Sequence, residues 1–121
     1  MFLKQISLKN FRNYANLELS FDSRPIILVG NNAAGKSNLL EAIYLLSTSK
    51  SQRVETEDEL IKEGEEFLRV EGFLSEPDTA LMVLINSPNE QVPFRKKVMV
   101  NGISRRVVDF IGNLQIGRAH V

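Results

Sequence analysis

The chain has 121 residues, 43% hydrophobic and 25% charged, and its 15 basic residues balance its 15 acidic ones. This length fits one domain or part of one, and a net charge of zero gives no bulk attraction to nucleic acid. The chain has no cysteine, which excludes disulfides and thiolate metal sites, and its single histidine, His120, makes a histidine metal site implausible. It has no apolar run of membrane-spanning length. We therefore expect a soluble cytoplasmic protein with no membrane partner.

The first predicted elements are two strands. Apolar and polar residues alternate in residues 2–8 and again in residues 17–22, which is the pattern of half-buried strands. We predict that these strands pair antiparallel. After a turn at residues 22–25, the apolar run at residues 26–29 predicts a third strand that is covered on both faces.

A phosphate-binding loop is predicted directly after this third strand. The residues that fit GxxxxGK[S/T] are Gly30, Asn31, Asn32, Ala33, Ala34, Gly35, Lys36 and Ser37. Two glycines let the chain wrap so that successive backbone N–H groups face one anion, and the following helix adds its positive N-terminal end. The strand before the loop and the helix after it are the context that this motif requires.

Two side chains of the loop have predicted roles of their own. Lys36 is expected to contact the terminal phosphates as a point charge. The Ser37 hydroxyl is expected to bind a Mg²⁺ ion that also contacts those phosphates. The sequence therefore predicts a site for ATP or GTP with Mg²⁺ as the metal.

The segment after the loop predicts a buried helix. Residues 38–46 are apolar except for Asn38 and Glu41, and a helix that is apolar nearly all round is buried. We expect it to lie between two layers of sheet. Residues 47–53 are small, polar and basic and predict a surface linker.

An acidic segment follows the linker. Residues 55–78 contain ten acidic residues against Lys62 and Arg69, which predicts a solvated face and leaves a partner surface as the alternative. A short helix is predicted at residues 57–62, ended by Gly64.

The remaining elements are strands. Residues 67–74, 80–85 and 94–100 are predicted strands, and Asn101-Gly102 is a strong turn signal. The charged residues from Phe94 to Arg106 are all basic, namely Arg95, Lys96, Lys97, Arg105 and Arg106. Such a group can contact a DNA backbone or can protect the edge of a sheet, and both interpretations stay open.

The last seven residues, 115–121, break the preceding pattern. They match the translation of CAG ATC GGA AGA GCA CAC GTC, which contains the start of a widely used sequencing-library adapter. We expect a non-native tail, which leaves residues 1–114 as the part that determines the fold and gives His120 no functional weight.

Several motifs together resemble one family. Residues 8–14 (LKNFRNY), the loop from Gly30 to Ser37 and its continuation at 38–46 are similar to the RecF family of bacterial DNA replication and repair proteins. The similarity extends through residues 59–64, 69–72, 100–102 and 109–112. Within the ABC-type ATPases, residues 37–43 resemble the RecF and SMC branch, and Asn38 argues against a transporter subunit, which usually has a second Ser or Thr there.

The resemblance implies a fold and a function. The fold would be α/β, the N-terminal lobe of a P-loop, ABC-type ATPase head, with a mixed sheet whose antiparallel β part surrounds a buried helix. Proteins of this family bind ATP, dimerise on ATP, bind single- and double-stranded DNA, and act with RecO and RecR in recombinational repair, replication restart and SOS induction. Arg12 would be a second contact near the nucleotide, and the alternative is a surface arginine at a strand end.

Some motifs of ABC heads are absent from these residues. The sequence contains no Walker B run, signature motif or downstream histidine region. We expect no ATP hydrolysis by this chain alone, although full-length members are weak ATPases, and we expect marginal solubility from an exposed sheet edge. An SMC-like structural head and a generic P-loop enzyme are the alternatives, but residues 50–114 show no sustained heptads, which favours the RecF family.

Overall fold

The computed structural model describes residues 2–21, 33–51 and 53–114. The predicted strand at 26–29, the loop residues Gly30 to Asn32 and the tail 115–121 lie outside the described residues. The strands are β1 (Phe2–Phe11), β2 (Tyr14–Ser20), β3 (Phe67–Ser75), β4 (Thr79–Asn86), β5 (Arg95–Val100) and β6 (Ile103–Arg105). The helices are α1 (Ala33–Thr48), α2 (Val107–Phe110) and a 3-10 helix (Glu57–Leu60).

The described strands form one antiparallel sheet with the order β2-β1-β3-β4-β5-β6. Neighbours in the sheet are neighbours in the chain except at the β1–β3 junction, where the intervening chain includes α1. Leu8 lies opposite Leu17 of β2 and Val70 of β3. The predicted antiparallel pair before the loop is therefore confirmed.

One face of the sheet is buried against α1. Burial alternates along β3 and β4, as expected where one face of a sheet contacts the core. The buried apolar residues of the sheet are Leu3, Ile6, Leu8, Phe11, Leu68, Val70, Leu74, Leu81, Val83, Ile85 and Val98. Those of α1 are Leu39, Ala42, Ile43, Leu45 and Leu46.

The helix packs tightly on the sheet at Gly72 of β3. A Cβ atom built on Gly72 would lie 2.6 Å from Cδ1 of Leu46 and 3.3 Å from Cδ1 of Leu3. A side chain at this position would therefore overlap atoms of the core, and glycine allows the helix to pack directly on the strand.

The other side of α1 is less buried than the sequence predicted. Leu40 and Tyr44 are half-buried, and Ser37 and Thr48 are exposed. A second sheet layer on this side would include residues 26–29, which lie outside the described residues. The described residues thus confirm burial of the helix on its sheet-facing side.

Two predictions along the chain were wrong. The short helix after residue 56 is a 3-10 helix that ends at Leu60, because Ile61 forms an isolated β-bridge with Phe11. The segment from residue 47 is not wholly a surface linker, since α1 continues to Thr48 and Ser49 is fully buried. The three later strands match their predictions to within one residue at each end.

None of the helices within the described ranges is long and apolar enough to cross a membrane.

Candidate nucleotide-binding site

The second half of the predicted loop forms the beginning of α1. Ala33, Ala34, Gly35, Lys36 and Ser37 are its first five residues. The first four backbone N–H groups of a helix have no acceptor within the helix, and they carry a partial positive charge. No acidic residue lies in this turn of α1, so the end of the helix favours an anion.

The two side chains with predicted ligand roles lie at this end of the helix. Lys36 is half-buried and Ser37 is exposed. An exposed hydroxyl beside the helix end fits one ligand of a Mg²⁺ ion that also contacts phosphate oxygens. In the described ranges, no group of three His, Cys, Asp or Glu side chains could hold a metal ion by itself.

Arg12 lies in the two-residue turn between β1 and β2. Phe11 pairs with Tyr14 across this turn, and Arg12 has a positive φ of 56°. Its backbone N–H donates a 2.8 Å hydrogen bond to the carbonyl oxygen of Leu60, and Leu60 is fully buried. The turn is therefore held in place by the last residue of the 3-10 helix.

The side chain of Arg12 forms a two-point ion pair with Glu41 of α1. Arg12 Nε donates to Glu41 Oε1 at 2.8 Å, and Nη2 donates to Oε2 at 2.9 Å. The Glu41 side chain is 1% exposed and the Arg12 side chain is 25% exposed. Parallel N–H···O bonds of this kind are among the strongest polar contacts in proteins and fix the plane of the guanidinium.

Two residues of the segment after α1 complete this cluster. Ser51 Oγ donates to Glu41 Oε2 at 2.8 Å. Arg53 Nη1 lies 3.5 Å from Glu41 Oε1 and donates to Asn38 Oδ1 at 3.1 Å. We name Arg12, Glu41, Ser51 and Arg53 the arginine–glutamate cluster.

The charges of the cluster stabilise one another. Burial by itself raises the pKa of Glu41, but hydrogen bonds from Arg12 and Ser51 and the charges of Arg12 and Arg53 outweigh it, so the pKa lies below its usual value. The hydrogen bond to Glu41 raises the pKa of Arg12. Both partners are therefore charged at neutral pH.

The cluster lies about one helical turn along α1 from Ser37, the last residue of the predicted loop. Ser37 and Glu41 are four residues apart and so occupy the same face of α1, separated by about 6 Å along the axis. An open cleft of about 240 Å³ is lined by Ser37, Leu40, Glu41, Tyr44 and Arg53. The hydroxyl proposed for Mg²⁺ and the Arg53 guanidinium thus line the same cleft.

Sequence analysis identified Arg12 but missed Glu41, Ser51 and Arg53. Glu41 was treated as a polar residue left over in an apolar helix, although its spacing of four from Ser37 places it on the same face. Arg12 is not a solvated strand-end arginine, because its guanidinium is paired. No sequence signal pointed to Ser51 or Arg53, which come from a segment interpreted as a linker.

The basic residues near the C-terminal end do not share one surface. Lys96 lies on the helix side of the sheet, where its Nζ donates to Glu57 Oε1 at 2.9 Å. Lys97 is the next residue of β5 and is exposed on the opposite face. Arg106 pairs with Asp109 at 3.0 Å. A DNA backbone could not contact all of these basic residues at once, because they lie on both faces of the sheet. The predicted DNA contact is therefore limited to residues such as Lys97 on the face away from α1.

A family model described as AAA ATPase domain matches residues 1–96. Among curated relatives, the chain is 38% identical over 117 residues to the DNA replication and repair protein RecF of Bacillus cereus (strain G9842), and 37% identical to that of Bacillus thuringiensis (strain Al Hakam). Each match covers 96% of this chain and 30% of the relative. The chain thus spans about a third of the length of the curated relatives that it matches.

Solved structures that resemble this chain also include RecF. A structure of the recombination mediator protein RecF with ATP in the RecFOR pathway matches with a TM-score of 0.79 and 32% identity, over 94% of this chain and 31% of that one. The SMC head domain from Thermotoga maritima matches with a TM-score of 0.60 and 22% identity, over 90% and 40% of the two chains. The second likeness establishes the fold alone, which is that of an ABC-type ATPase head.

Proposed function

Because the chain belongs to the AAA ATPase domain family, we propose that it is the ATP-binding part of a DNA replication and recombinational repair protein of the RecF type. Its similarity to RecF of two Bacillus species covers nearly the whole chain. ATP bound with Mg²⁺ would be the cofactor, held by the residues from Gly30 to Ser37.

The observation that most supports ATP binding is the position of Arg12 relative to α1. The helix begins inside the predicted loop, so its N-terminal end favours a polyphosphate. The two-point pair with Glu41 holds the Arg12 guanidinium against the middle of α1, and a 3.5 Å contact from Asn38 Nδ2 to Asn13 Oδ1 places the β1–β2 turn beside the N-terminal half of the helix. We propose that Arg12 is the second phosphate contact, since a guanidinium binds phosphate well.

The role of ATP in this proposal is that of a switch. In the full-length protein, ATP would drive homodimerisation and clamping on single- or double-stranded DNA, with slow hydrolysis. RecO- and RecR-type proteins would be the partners, and the SOS response would be one context. The printed description of a similar solved structure, a recombination mediator in the RecFOR pathway, supports this proposal. The cytoplasm follows as the location of such a repair protein.

Two other functions compete with this one. An SMC-like structural head shares the fold but is only 22% identical, whereas the RecF proteins are 32% to 38% identical. A generic P-loop enzyme would show neither dimerisation nor ATP turnover that depends on DNA. Measuring both with and without DNA separates the generic enzyme from the proposed function.

The test of ATP binding is Lys36→Ala in the full-length gene product. Loss of a charge-assisted contact of about 1.5–3 kcal/mol should weaken ATP binding by roughly 10- to 100-fold, measured by competition with a fluorescent ATP analogue. Lys97→Ala is the matched control, because Lys97 is an exposed lysine on the face of the sheet away from α1. Unchanged ATP affinity in Lys36→Ala would overturn the assignment of the loop.

A further inference from the structure

Glu41 is a buried charged residue at the base of the open cleft beside α1. Within the described ranges, only Asn10, Glu41 and Ser49 are buried polar or charged residues. Replacing a buried ion pair with apolar residues is often neutral or stabilising. Stability alone therefore does not explain a buried glutamate in α1.

The contacts of Glu41 suggest a geometrical role. Both carboxylate oxygens accept a hydrogen bond from Arg12, and Oε2 also accepts one from Ser51. The backbone of Arg12 is held separately by the carbonyl of Leu60. The arginine is thus fixed at its backbone and at its guanidinium, and this rigidity lowers the entropic cost of presenting it to a ligand.

We infer that Glu41 is a positioning residue, which holds the Arg12 guanidinium in the orientation that contacts the phosphates of a nucleoside triphosphate at the N-terminal end of α1. Glu41 does not contact the nucleotide, whose phosphates its charge would repel. Ser51 also holds the carboxylate in place, because its hydroxyl donates a hydrogen bond to Oε2. This inference rests on the proposed function, because it needs a nucleotide at that end of the helix.

The experiment is a double-mutant cycle on ATP affinity in the full-length gene product. Glu41→Gln keeps the shape of the side chain and removes its charge, and Arg12→Ala removes the contact itself. Each variant should weaken ATP binding by about tenfold, the effect of one charge-assisted contact. The double variant should bind no more weakly than Arg12→Ala alone, because Glu41 acts only through Arg12.

A matched control separates positioning from general damage to the fold. Glu57→Gln removes the charge of another largely buried glutamate, whose ion pair, at 2.9 Å, is with Lys96 of β5. This variant should leave ATP affinity unchanged. If Glu41→Gln does not fold, Ser51→Ala takes its place in the experiment. Ser51→Ala should weaken ATP binding by about threefold in the wild-type background and should have no effect in the Arg12→Ala background.

Each outcome of the experiment is decisive. Wild-type protein that does not bind ATP would overturn the proposed function and this inference together. Wild-type protein that binds ATP, with Glu41→Gln or its substitute Ser51→Ala binding equally well, would overturn the inference alone. Effects of Glu41→Gln and Arg12→Ala that multiply in the double variant would also overturn it, since Glu41 would then act independently of Arg12.

Discussion

Gly72→Ala tests how closely α1 packs on the sheet. The added Cβ would lie 2.6 Å from Leu46 Cδ1, whereas ordinary contacts begin at 3.4 Å. Leu46 is fully buried, so its side chain must move against packed neighbours or the helix must shift outward. Overpacking of this kind costs about 1–3 kcal/mol. The loss of backbone freedom in the unfolded chain offsets about 0.4–1 kcal/mol of that cost.

The expected net loss is about 1–2 kcal/mol in the free energy of opening, which corresponds to roughly 5- to 30-fold faster amide exchange. Hydrogen–deuterium exchange of β3 and α1 in the full-length gene product measures it. Leu46→Ala is the control background, since it removes the atoms that the new methyl group would meet. It should cost about 2–5 kcal/mol alone, and Gly72→Ala should then cost nothing further.

Two results would refute this reasoning. Exchange at the wild-type rate in Gly72→Ala would mean that the helix and strand are not in contact at this point. An equal cost of Gly72→Ala in the wild-type and Leu46→Ala backgrounds would mean that the penalty does not come from Leu46.

Three further predictions concern the charged and buried residues around the site. The lowered pKa of Glu41 means that its ion pair stabilises the folded state above the ordinary pKa of 4.5 and that this stabilisation is lost as pH falls through the folded-state value. The difference in opening free energy between wild type and Glu41→Gln, about 1–3 kcal/mol at neutral pH, should therefore shrink as the pH falls below 4.5. A difference independent of pH would contradict this. Lys96→Ala should lower the free energy of unfolding by about 1–2 kcal/mol, measured by thermal unfolding or amide exchange, because it leaves Glu57 unpaired. Lys97→Ala should change it by no more than about 0.5 kcal/mol. Equal effects would refute the assignment of the two lysines to opposite faces. Leu60→Ala should cost about 2–5 kcal/mol and speed exchange in the β1–β2 turn, and a loss below about 1 kcal/mol would show that this segment does not support the turn.

Local patterns in the sequence were sufficient to predict most of the helices and strands. Alternation of apolar and polar residues predicted β1 and β2, and Asn101-Gly102 marked the turn between β5 and β6, because both signals depend only on neighbouring residues. The order of the strands was not predictable in this way. Pairing of β1 with β3 joins residues that are 60 (Lys9 and Arg69) to 73 (Phe2 and Ser75) positions apart, and packing of the shared apolar face decides it.

The same distinction between local and long-range features applies to the candidate site. The loop and its helix were predicted, because GxxxxGK[S/T] is a contiguous motif and α1 begins inside it. The ion pair was not predicted, since Arg12 and Glu41 are 29 residues apart. Their contact depends on how the β1–β2 turn folds back towards α1. The prediction that Ser49 lies in a surface linker was wrong for a related reason, because the end of α1 is covered by the core.

The ion pair between Arg12 and Glu41 has an evolutionary consequence. A substitution that neutralises either residue leaves the other charge buried, so a lineage that loses one should soon change the second. An alignment of many natural homologues should therefore show correlated substitutions at positions 12 and 41. Position 57, whose partner is Lys96, should instead vary together with position 96.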